Sequence, residues 1–266
     1  MAERPTNIDT GVAHPARVYN AWLGGRDHYP ADEEAAQLAA AANPGIVPAV
    51  RANRAFLGRA VRLLTEQAGI RQFLDIGTGI PAAGNTHEVA QSVAPDARIV
   101  YVDNDRIVLA HATARLVGTA EGRTAYVEAD ARDVDTILSE ARRTLDFSRP
   151  VGLMLVAILQ YIPDADDPYA LTERLLAALP AGSHLVISHP AADISAAEVA
   201  RSMRVYNERA AADASATPRT HDEVTRFFTG TELLEPGVVS LPQWRPGPGD
   251  TPSGDIPMWC GVSRVR

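Results

Sequence analysis

Two acidic side chains and a pair of glycines supply the most specific chemistry in the sequence. Residues 71–81 begin as a short apolar run, continue into Asp75 and then place Gly77 and Gly79 one residue apart. This pattern predicts a buried strand that turns sharply into a crevice, because glycine accepts positive φ angles and lets a ligand approach the backbone closely. Open α/β sheets bind small molecules at the carboxyl ends of their strands, so we expect Asp75 to face such a ligand.

The glycine spacing leaves two classes of ligand open. The pattern G-x-G-x-x-A satisfies a relaxed dinucleotide-binding fingerprint, which would make the protein a nicotinamide-dependent oxidoreductase. A diphosphate, however, needs a helix that begins directly after the turn, whereas here Pro81 removes a donor and the first plausible N-cap is Thr86. The preceding acid, Asp75, would also repel a diphosphate. It suits a ligand that carries a cationic amino-acid group and no phosphate.

A second acid follows the next predicted strand. Residues 98–102 form that strand, and Asp103 comes directly after it. A carboxylate at this place can accept hydrogen bonds from ribose hydroxyls, which applies equally to NAD and to S-adenosylmethionine. Asp105 is expected to cap the helix that follows.

Several short motifs together resemble known methyltransferases. Residues 75–79 and 100–105 are similar to the cofactor-binding motifs of class I S-adenosylmethionine-dependent methyltransferases. A closer resemblance is to the S-adenosyl methyltransferase family formerly filed as a domain of unknown function. The segments that carry it are residues 17–28, 85–90, 102–105, 108–111 and 162–164. The resemblance covers nearly the whole chain, and it implies an enzyme that uses S-adenosylmethionine as its cofactor.

The resemblance also implies roles for individual side chains. Those implied to contact the cofactor are Tyr19, Arg26, Asp75, Gly77, Thr78, Gly79, Asp103, Asn104, Asp130, Ala131 and Ala157. Those implied to contact the acceptor are Asp27, His28, Gln160, Tyr161 and His189. His28 or His189 would act as the general base if the reaction uses one. Relatives often carry a histidine where this chain has Gln160, which argues against a base from that loop.

The elements that must position these residues predict an α/β fold. Near-continuous apolar runs such as residues 150–157 are typical of strands in a parallel sheet that is covered on both faces. We therefore predict a doubly wound, mostly parallel, Rossmann-like sheet of seven strands with an N-terminal helical cap over the cofactor. Residues 1–68 are expected to form the cap and residues 69–266 the methyltransferase domain, together in one compact unit.

One helix of the predicted cap carries a cluster of positive charge. Its arginines fall within one arc and are Arg51, Arg54, Arg59 and Arg62. Such an arc is usually a solvated surface, and the alternative is an anion-binding face.

Composition narrows the class of function. All 25 basic residues are arginine, so the chain has no lysine for a P-loop or a Schiff base. A net charge of −8 weighs against nucleic-acid binding. The histidines and the single cysteine do not cluster at ligand spacing, so we expect no metal site. The N-terminus lacks an apolar secretory segment and no apolar run is long enough to cross a bilayer, so we expect a cytoplasmic protein that does not bind membranes.

Two alternatives to a methyltransferase stay open at this level. One is the nicotinamide-dependent oxidoreductase; the other is a protein that binds S-adenosylmethionine without turning it over. Methyl transfer needs little more than a positioned acceptor, so catalysis leaves almost no residue signature. The acceptor is expected to be a small molecule, since the sequence contains no Asn-Pro-Pro-Tyr or Pro-Cys signature of nucleobase methylation.

Overall fold

The computed structural model describes residues 9–115, 118–247 and 254–266. The helices of these ranges are α1 (Pro15–Trp22), α2 (Pro30–Ala42), α3 (Ile46–Glu66), α4 (Thr86–Val93), α5 (Arg106–Arg115), α6 (Val134–Ala141), α7 (Pro168–Ala177), α8 (Ala196–Asn207) and α9 (His221–Arg226). The strands are β1 (Gln72–Ile76), β2 (Arg98–Asp103), β3 (Arg123–Glu128), β4 (Gly152–Val156), β5 (His184–Pro190), β6 (Thr231–Leu233), β7 (Val239–Ser240) and β8 (Met258–Val265). No helix of the described ranges combines the length and the apolar character that crossing a bilayer requires.

The strands form one mixed sheet in the order β3-β2-β1-β4-β5-β8-β6. Strands β1 to β5 are parallel, whereas β8 is antiparallel to β5 and to β6. The predicted doubly wound, mostly parallel sheet is therefore confirmed. The difference is β7, which pairs with β8 beside this path and lies inside a segment whose many prolines and glycines predict a loop.

Both faces of the sheet are covered, because consecutive side chains of a strand point to opposite faces. On one face, Leu74 and Val100 share a buried apolar cluster with Ile137 of α6. On the other face, Phe73 packs in a second cluster with Phe56 of α3. This two-sided burial explains why the parallel strands are apolar along their whole length.

The order of the strands creates a crevice beside β1. The chain passes from β1 outward to β2 and β3, and then returns to β4 on the opposite side of β1. The loops that follow β1 and β4 consequently leave the sheet in different directions. Small molecules bind in the crevice between such loops, at the carboxyl edge of the sheet.

Three helices precede β1, as the sequence predicts, and residues 1–8 of the predicted cap lie outside the described residues. Helices α1 and α2 do not pack on the sheet; they form a third apolar cluster with α8, in which Val18 and Ala35 meet Tyr206. Helix α3 differs from them, because it also packs on a face of the sheet through Phe56 and Leu64. The division of the chain at residues 68 and 69 stays a prediction.

Candidate functional site

A cleft opens at the carboxyl edge of the sheet, between the strand ends and the helices α1 and α3. Its empty space, the open mouth included, is about 1310 Å³. The predicted residues that line it are Tyr19, Asp75, Gly77, Thr78, Gly79, Asp103, Asn104, Asp130, Ala131, Ala157 and Tyr161. Residues from five separate segments of the chain therefore meet around one space large enough for a nucleoside-sized ligand.

The turn after β1 depends on its two glycines. Gly77 has a φ of 78° and Gly79 a φ of 66°, which are values that side chains with a Cβ rarely adopt. At Gly77 a Cβ would also stand 2.6 Å from Cδ1 of Ile158. The group that packs closely against Gly77 is thus Ile158 in the loop after β4, and residues 77–79 together line the cleft.

Asp75 is the carboxylate at the end of β1. It is 6% exposed, and its Oδ2 accepts a 2.6 Å hydrogen bond from the Thr86 hydroxyl. Burial raises the pKa of Asp75 to about 6, although the Thr86 hydrogen bond and the charge of Arg54 act to lower it. A carboxylate held in this way gains most from a cation that enters the cleft.

Thr86 corrects one detail of the predicted turn. The N-cap of α4 is Asn85, whose backbone N–H donates to the Glu88 carboxylate at 3.0 Å, and Thr86 is the first helical residue. The hydroxyl of Thr86 is consequently free to donate to Asp75. The predicted delay between the glycine turn and the helix is nevertheless present, so the helix N-terminus does not follow the turn directly.

Arg54 of α3 lines the cleft near Asp75, and the sequence analysis names it only as one of the four arginines of the arc. Its Nη2 donates to the Ala83 carbonyl and to Asn85 Oδ1, both at 3.2 Å. Its Nε is buried and has no hydrogen-bond partner among the described residues. An unpaired guanidinium N–H beside Asp75 is therefore available to an anionic group of a ligand.

The other three arginines of the predicted arc do not reach this cleft. Arg51 is exposed, Arg59 donates to backbone carbonyls of residues 241 and 244, and Arg62 pairs with Glu66 at 3.1 Å. Only Arg54 of the four arginines lines the cleft, and an anion-binding role for it stays a prediction.

Asp103, at the end of β2, is held by backbone N–H groups from two turns. Gly79 donates to its Oδ2 and Asp105 to its Oδ1, each at 2.9 Å. Burial raises the pKa of Asp103 to about 6 against the lowering effect of these N–H groups. Each oxygen keeps a lone pair for a further donor, so the carboxylate can accept two hydroxyl groups of a ligand.

Asp130 and Ala131 line the far end of the cleft after β3. Nη1 of Arg132 lies 3.1 Å from both carboxylate oxygens of Asp130, and the backbone N–H of Arg132 donates to Oδ1 at 2.8 Å. Arg132 also donates to the Tyr161 carbonyl at 3.0 Å, which ties this end of the cleft to the loop after β4. Asp130 therefore lines the cleft while its carboxylate is paired with Arg132.

The structure does not bring the segment that follows Gly24 and Gly25 into the cleft. Arg26 is exposed, and neither it, Asp27 nor His28 is part of the cleft wall. The Asp27 carboxylate lies 3.9 Å from Nε2 of His111, and the backbone N–H of Asp27 donates to Asn20 Oδ1. These side chains lie outside the cleft wall, and their contacts with the cofactor and the acceptor stay predictions.

His189 is also placed away from the cleft. It is fully buried, its Nδ1 lies 3.0 Å from the Pro190 carbonyl, and its Nε2 lies 2.9 Å from the guanidinium of Arg219. Burial lowers the pKa of His189 to about 3, so the ring is neutral near pH 7. With both nitrogens engaged, the ring has no free atom with which to take a proton from a ligand.

The cleft contains further side chains that the sequence did not indicate. His14, Asn53 and Asp213 line it together with Arg54. His14 immediately precedes α1, and burial lowers its pKa although the neighbouring Asp105 carboxylate acts to raise it. Within the described residues, no three His, Cys, Asp or Glu side chains are arranged to hold a metal ion.

Comparisons with known proteins agree with this geometry. The family model described as S-adenosyl methyltransferase matches residues 1–266. A DUF574 family protein from Streptomyces avermitilis is 47% identical and superposes with a TM-score of 0.93 over 98% of this chain and 100% of that one. A proposed methyltransferase from Thermobifida fusca is 38% identical, with a TM-score of 0.88 over the whole of both chains.

More distant structures share the fold alone. A plantazolicin methyltransferase in complex with S-adenosylhomocysteine is 13% identical and has a TM-score of 0.52, over 94% of this chain and 95% of that one. No curated protein matches the sequence. The match of the family model over the full length, together with the two close structural relatives, establishes that this chain belongs to the S-adenosyl methyltransferase family, whose cofactor is S-adenosylmethionine.

Proposed function

We propose that the cleft holds S-adenosylmethionine across the ends of β1 and β2 and presents its methyl group to a small-molecule acceptor. The observation that carries this assignment is the pair of buried carboxylates, Asp75 and Asp103, which line one cleft at the ends of adjacent strands. The bound cofactor supplies a sulfonium-linked methyl group, an electrophile that a correctly placed nucleophile can attack directly.

The methionine portion of the cofactor carries both an ammonium and a carboxylate, and the cleft offers one partner for each. Asp75 would accept from the ammonium, and the unpaired Nε of Arg54 would donate to the carboxylate. Asp75 would repel a diphosphate at this position, although Arg54 by itself could bind one. This pairing is what favours S-adenosylmethionine over a nicotinamide dinucleotide.

The nucleoside portion has matching groups further along the cleft. Asp103 would accept hydrogen bonds from the ribose hydroxyls through the lone pairs that its two backbone donors leave free. The backbone around Ala131 and the carboxylate of Asp130 would contact the adenine. The apolar side chains of Ile80, Ile158 and Ile162 line the same region, and they can pack on the faces of a base.

Placement of the two substrates is the main catalytic contribution that we assign to the protein. Holding two reactants in a near-attack geometry can supply roughly 7–11 kcal/mol of the barrier. We assign no general base, because His28 does not line the cleft and both ring nitrogens of His189 are engaged. A catalytic role for either histidine stays a prediction without geometric support.

The acceptor is proposed to be a small molecule and not nucleic acid. The acidic net charge of −8 opposes binding to a phosphate backbone. A cytoplasmic location stays a prediction from the sequence.

The role of Arg54 provides a direct test, because Arg51 on the same helix offers a matched control. In Arg54→Gln, titration calorimetry should show that S-adenosylhomocysteine binds about 12- to 160-fold more weakly, which corresponds to about 1.5–3 kcal/mol for a hydrogen bond to a charged group. Arg51→Gln should bind within about twofold of the wild type, since an exposed residue outside the cleft makes no such bond.

Adenosine separates the two halves of the proposal. It lacks the methionine portion, so its affinity should be the same in the wild type and in Arg54→Gln. Equal weakening of adenosine and S-adenosylhomocysteine would show that Arg54 shapes the whole cleft and does not bind the methionine carboxylate. Tight binding of NAD without binding of S-adenosylhomocysteine would instead support the oxidoreductase.

A further inference from the structure

A second cavity adjoins the cofactor cleft, between the N-terminal helices and α8. Its empty space, the open mouth included, is about 680 Å³. Tyr19, Ala157 and Tyr161 line both spaces, so the two meet at these three side chains. A molecule in the second cavity would therefore face the cleft at the end of β4, where the proposed methyl donor and its acceptor must meet.

The wall of this cavity carries no charge among the described residues. It is built from aliphatic and aromatic side chains, among them Trp22, Val199 and Met203, together with a few neutral polar groups. A charged group that entered would lose its hydration without gaining an ionic partner, so its binding would be strongly disfavoured. The cavity consequently selects a neutral, largely apolar occupant.

Several polar atoms of the wall are satisfied within the protein. Trp22 Nε1, Ser202 Oγ and the Tyr206 hydroxyl each donate to a backbone carbonyl at 3.0–3.2 Å. Gln160 is satisfied only in part: its Nε2 donates to the Ala157 carbonyl at 2.8 Å, but its Oε1 is buried and has no hydrogen-bond partner among the described residues.

The unpaired oxygen defines what an occupant must offer. Gln160 is 5% exposed, so water does not readily satisfy its Oε1. A buried acceptor without a donor destabilises the protein, and a ligand that donates to it relieves part of this penalty. The amide oxygen can only accept, so the matching ligand group is an O–H or an N–H.

We propose that this second cavity is the acceptor site, and that the acceptor is a neutral, largely apolar molecule with a hydroxyl or N–H group that donates to Gln160 Oε1. The proposal rests on the proposed function, because it assigns the second substrate of that reaction. In the transfer, the acceptor's oxygen or nitrogen forms the new bond to the methyl carbon with its own electron pair. The carbon–sulfur bond breaks with its electrons left on sulfur, and the displaced proton leaves to water.

Three probes whose bicyclic rings share one shape test the proposal in the protein saturated with S-adenosylhomocysteine. Indole is neutral and has an N–H donor, benzofuran is neutral and has none, and indole-3-acetate is anionic. Titration calorimetry should show that indole binds about tenfold more tightly than benzofuran, as expected for one net hydrogen bond to a buried acceptor. Indole-3-acetate should bind at least about tenfold more weakly than indole.

Variants of the wall locate the binding. Gln160→Met removes the oxygen, so the ratio of the indole and benzofuran affinities should fall to about one within that variant. Met203→Trp fills the cavity from α8 and should abolish indole binding, whereas Met203→Leu conserves the volume and should retain it. The affinity for S-adenosylhomocysteine should be unchanged in all three variants.

The outcomes separate the two proposals. Four results would each overturn the acceptor site and leave the cofactor site intact. The first is binding of S-adenosylhomocysteine without binding of any probe, and the second is an unchanged ratio of the indole and benzofuran affinities in Gln160→Met. The others are undiminished indole binding in Met203→Trp and binding of indole-3-acetate as tight as that of indole. Failure of S-adenosylhomocysteine to bind the wild-type protein would overturn the proposed function itself.

Discussion

Protonation of Asp75 and Asp103 should weaken cofactor binding as the pH falls. Burial raises the pKa of each carboxyl to about 6, so both titrate just below neutrality in the ligand-free protein. In the proposed complex both are ionised, since Asp75 faces an ammonium and Asp103 accepts hydrogen bonds from the ribose. Binding should therefore require the loss of up to two protons at acidic pH.

The size of the effect follows from the two pKa values. A carboxyl with a pKa near 6 is about 90% protonated at pH 5, so each group should weaken binding by about tenfold, or about 1.4 kcal/mol, between pH 7 and pH 5. The two groups together should weaken it by about 100-fold if they titrate independently. The plot of log Kd against pH should then fall with rising pH, with a slope whose magnitude approaches about two at its acidic end.

The stability of the fold responds to the same two groups in the opposite direction. Their folded pKa values lie above the usual value of 3.8, so protonation favours the folded state. The stability that they contribute is fully present below 3.8 and is lost as the pH rises through about 6. Acidification to pH 5 should thus weaken ligand binding without unfolding the protein through Asp75 or Asp103.

Calorimetry with two ligands can assign the slope to individual residues. S-adenosylhomocysteine contacts both carboxylates in the proposal, whereas adenosine contacts Asp103 and not Asp75. Adenosine should accordingly give a slope of about one, and Asp75→Asn should reduce the slope for S-adenosylhomocysteine from about two to about one. Circular dichroism at each pH checks that the protein stays folded. A flat profile between pH 5 and pH 7, or equal slopes for the two ligands in the wild type, would refute the reasoning.

Two substitutions test how the loops around the cleft are held. Gly77→Ala should lower the free energy of unfolding by about 1–3 kcal/mol in urea titrations, because alanine would have to adopt a positive φ and its Cβ would contact Ile158. The control Gly58→Ala in α3 should raise the free energy of unfolding by about 0.5–1 kcal/mol, since alanine favours a helix. Equal effects of the two substitutions would contradict this reasoning. The buried guanidinium of Arg219 donates to carbonyls at both ends of the segment 159–162 and does not line the cleft. Arg219→Met should therefore lower kcat/KM for the acceptor, while the Kd of S-adenosylhomocysteine stays within about twofold of the wild-type value. Weaker binding of S-adenosylhomocysteine with an unchanged kcat/KM would exclude this positioning role.

The sheet and its strand-end residues could be predicted because they depend on short stretches of sequence. The apolar runs that become β1, β2 and β4 are buried on both faces, and each ends at a polar residue or a turn. Parallel strands bring their carboxyl ends to one edge, so Asp75 and Asp103 reach the same cleft whatever the intervening helices do. The gap between the glycine turn and the next helix was also predicted, although the N-cap of that helix is Asn85 and not Thr86.

The placement of other residues could not be predicted from the sequence, because it depends on packing between distant segments. Arg54 is one of four arginines on α3, and only the docking of that helix on the sheet directs this one into the cleft. His189 does lie at a strand end, but β8 pairs with β5 along its whole length and Arg219 covers the ring. Other parts of the protein therefore occupy the space around His189, and this could not be predicted from its position in the sequence.

The N-terminal helices connect the two proposed sites through one chain of hydrogen bonds. The Tyr19 hydroxyl, at the boundary of the two spaces, donates to the Val50 carbonyl and accepts from Asn53 Nδ2 at 3.0 Å. Asn53 Oδ1 in turn accepts a 2.6 Å hydrogen bond from the Ser188 hydroxyl of β5. Because these bonds are buried or partly buried and join α1 and α3 to the sheet, they fix the position of the Tyr19 ring relative to the end of β4. The rigid boundary would set the distance between donor and acceptor, which is the contribution that in-line methyl transfer requires of the protein.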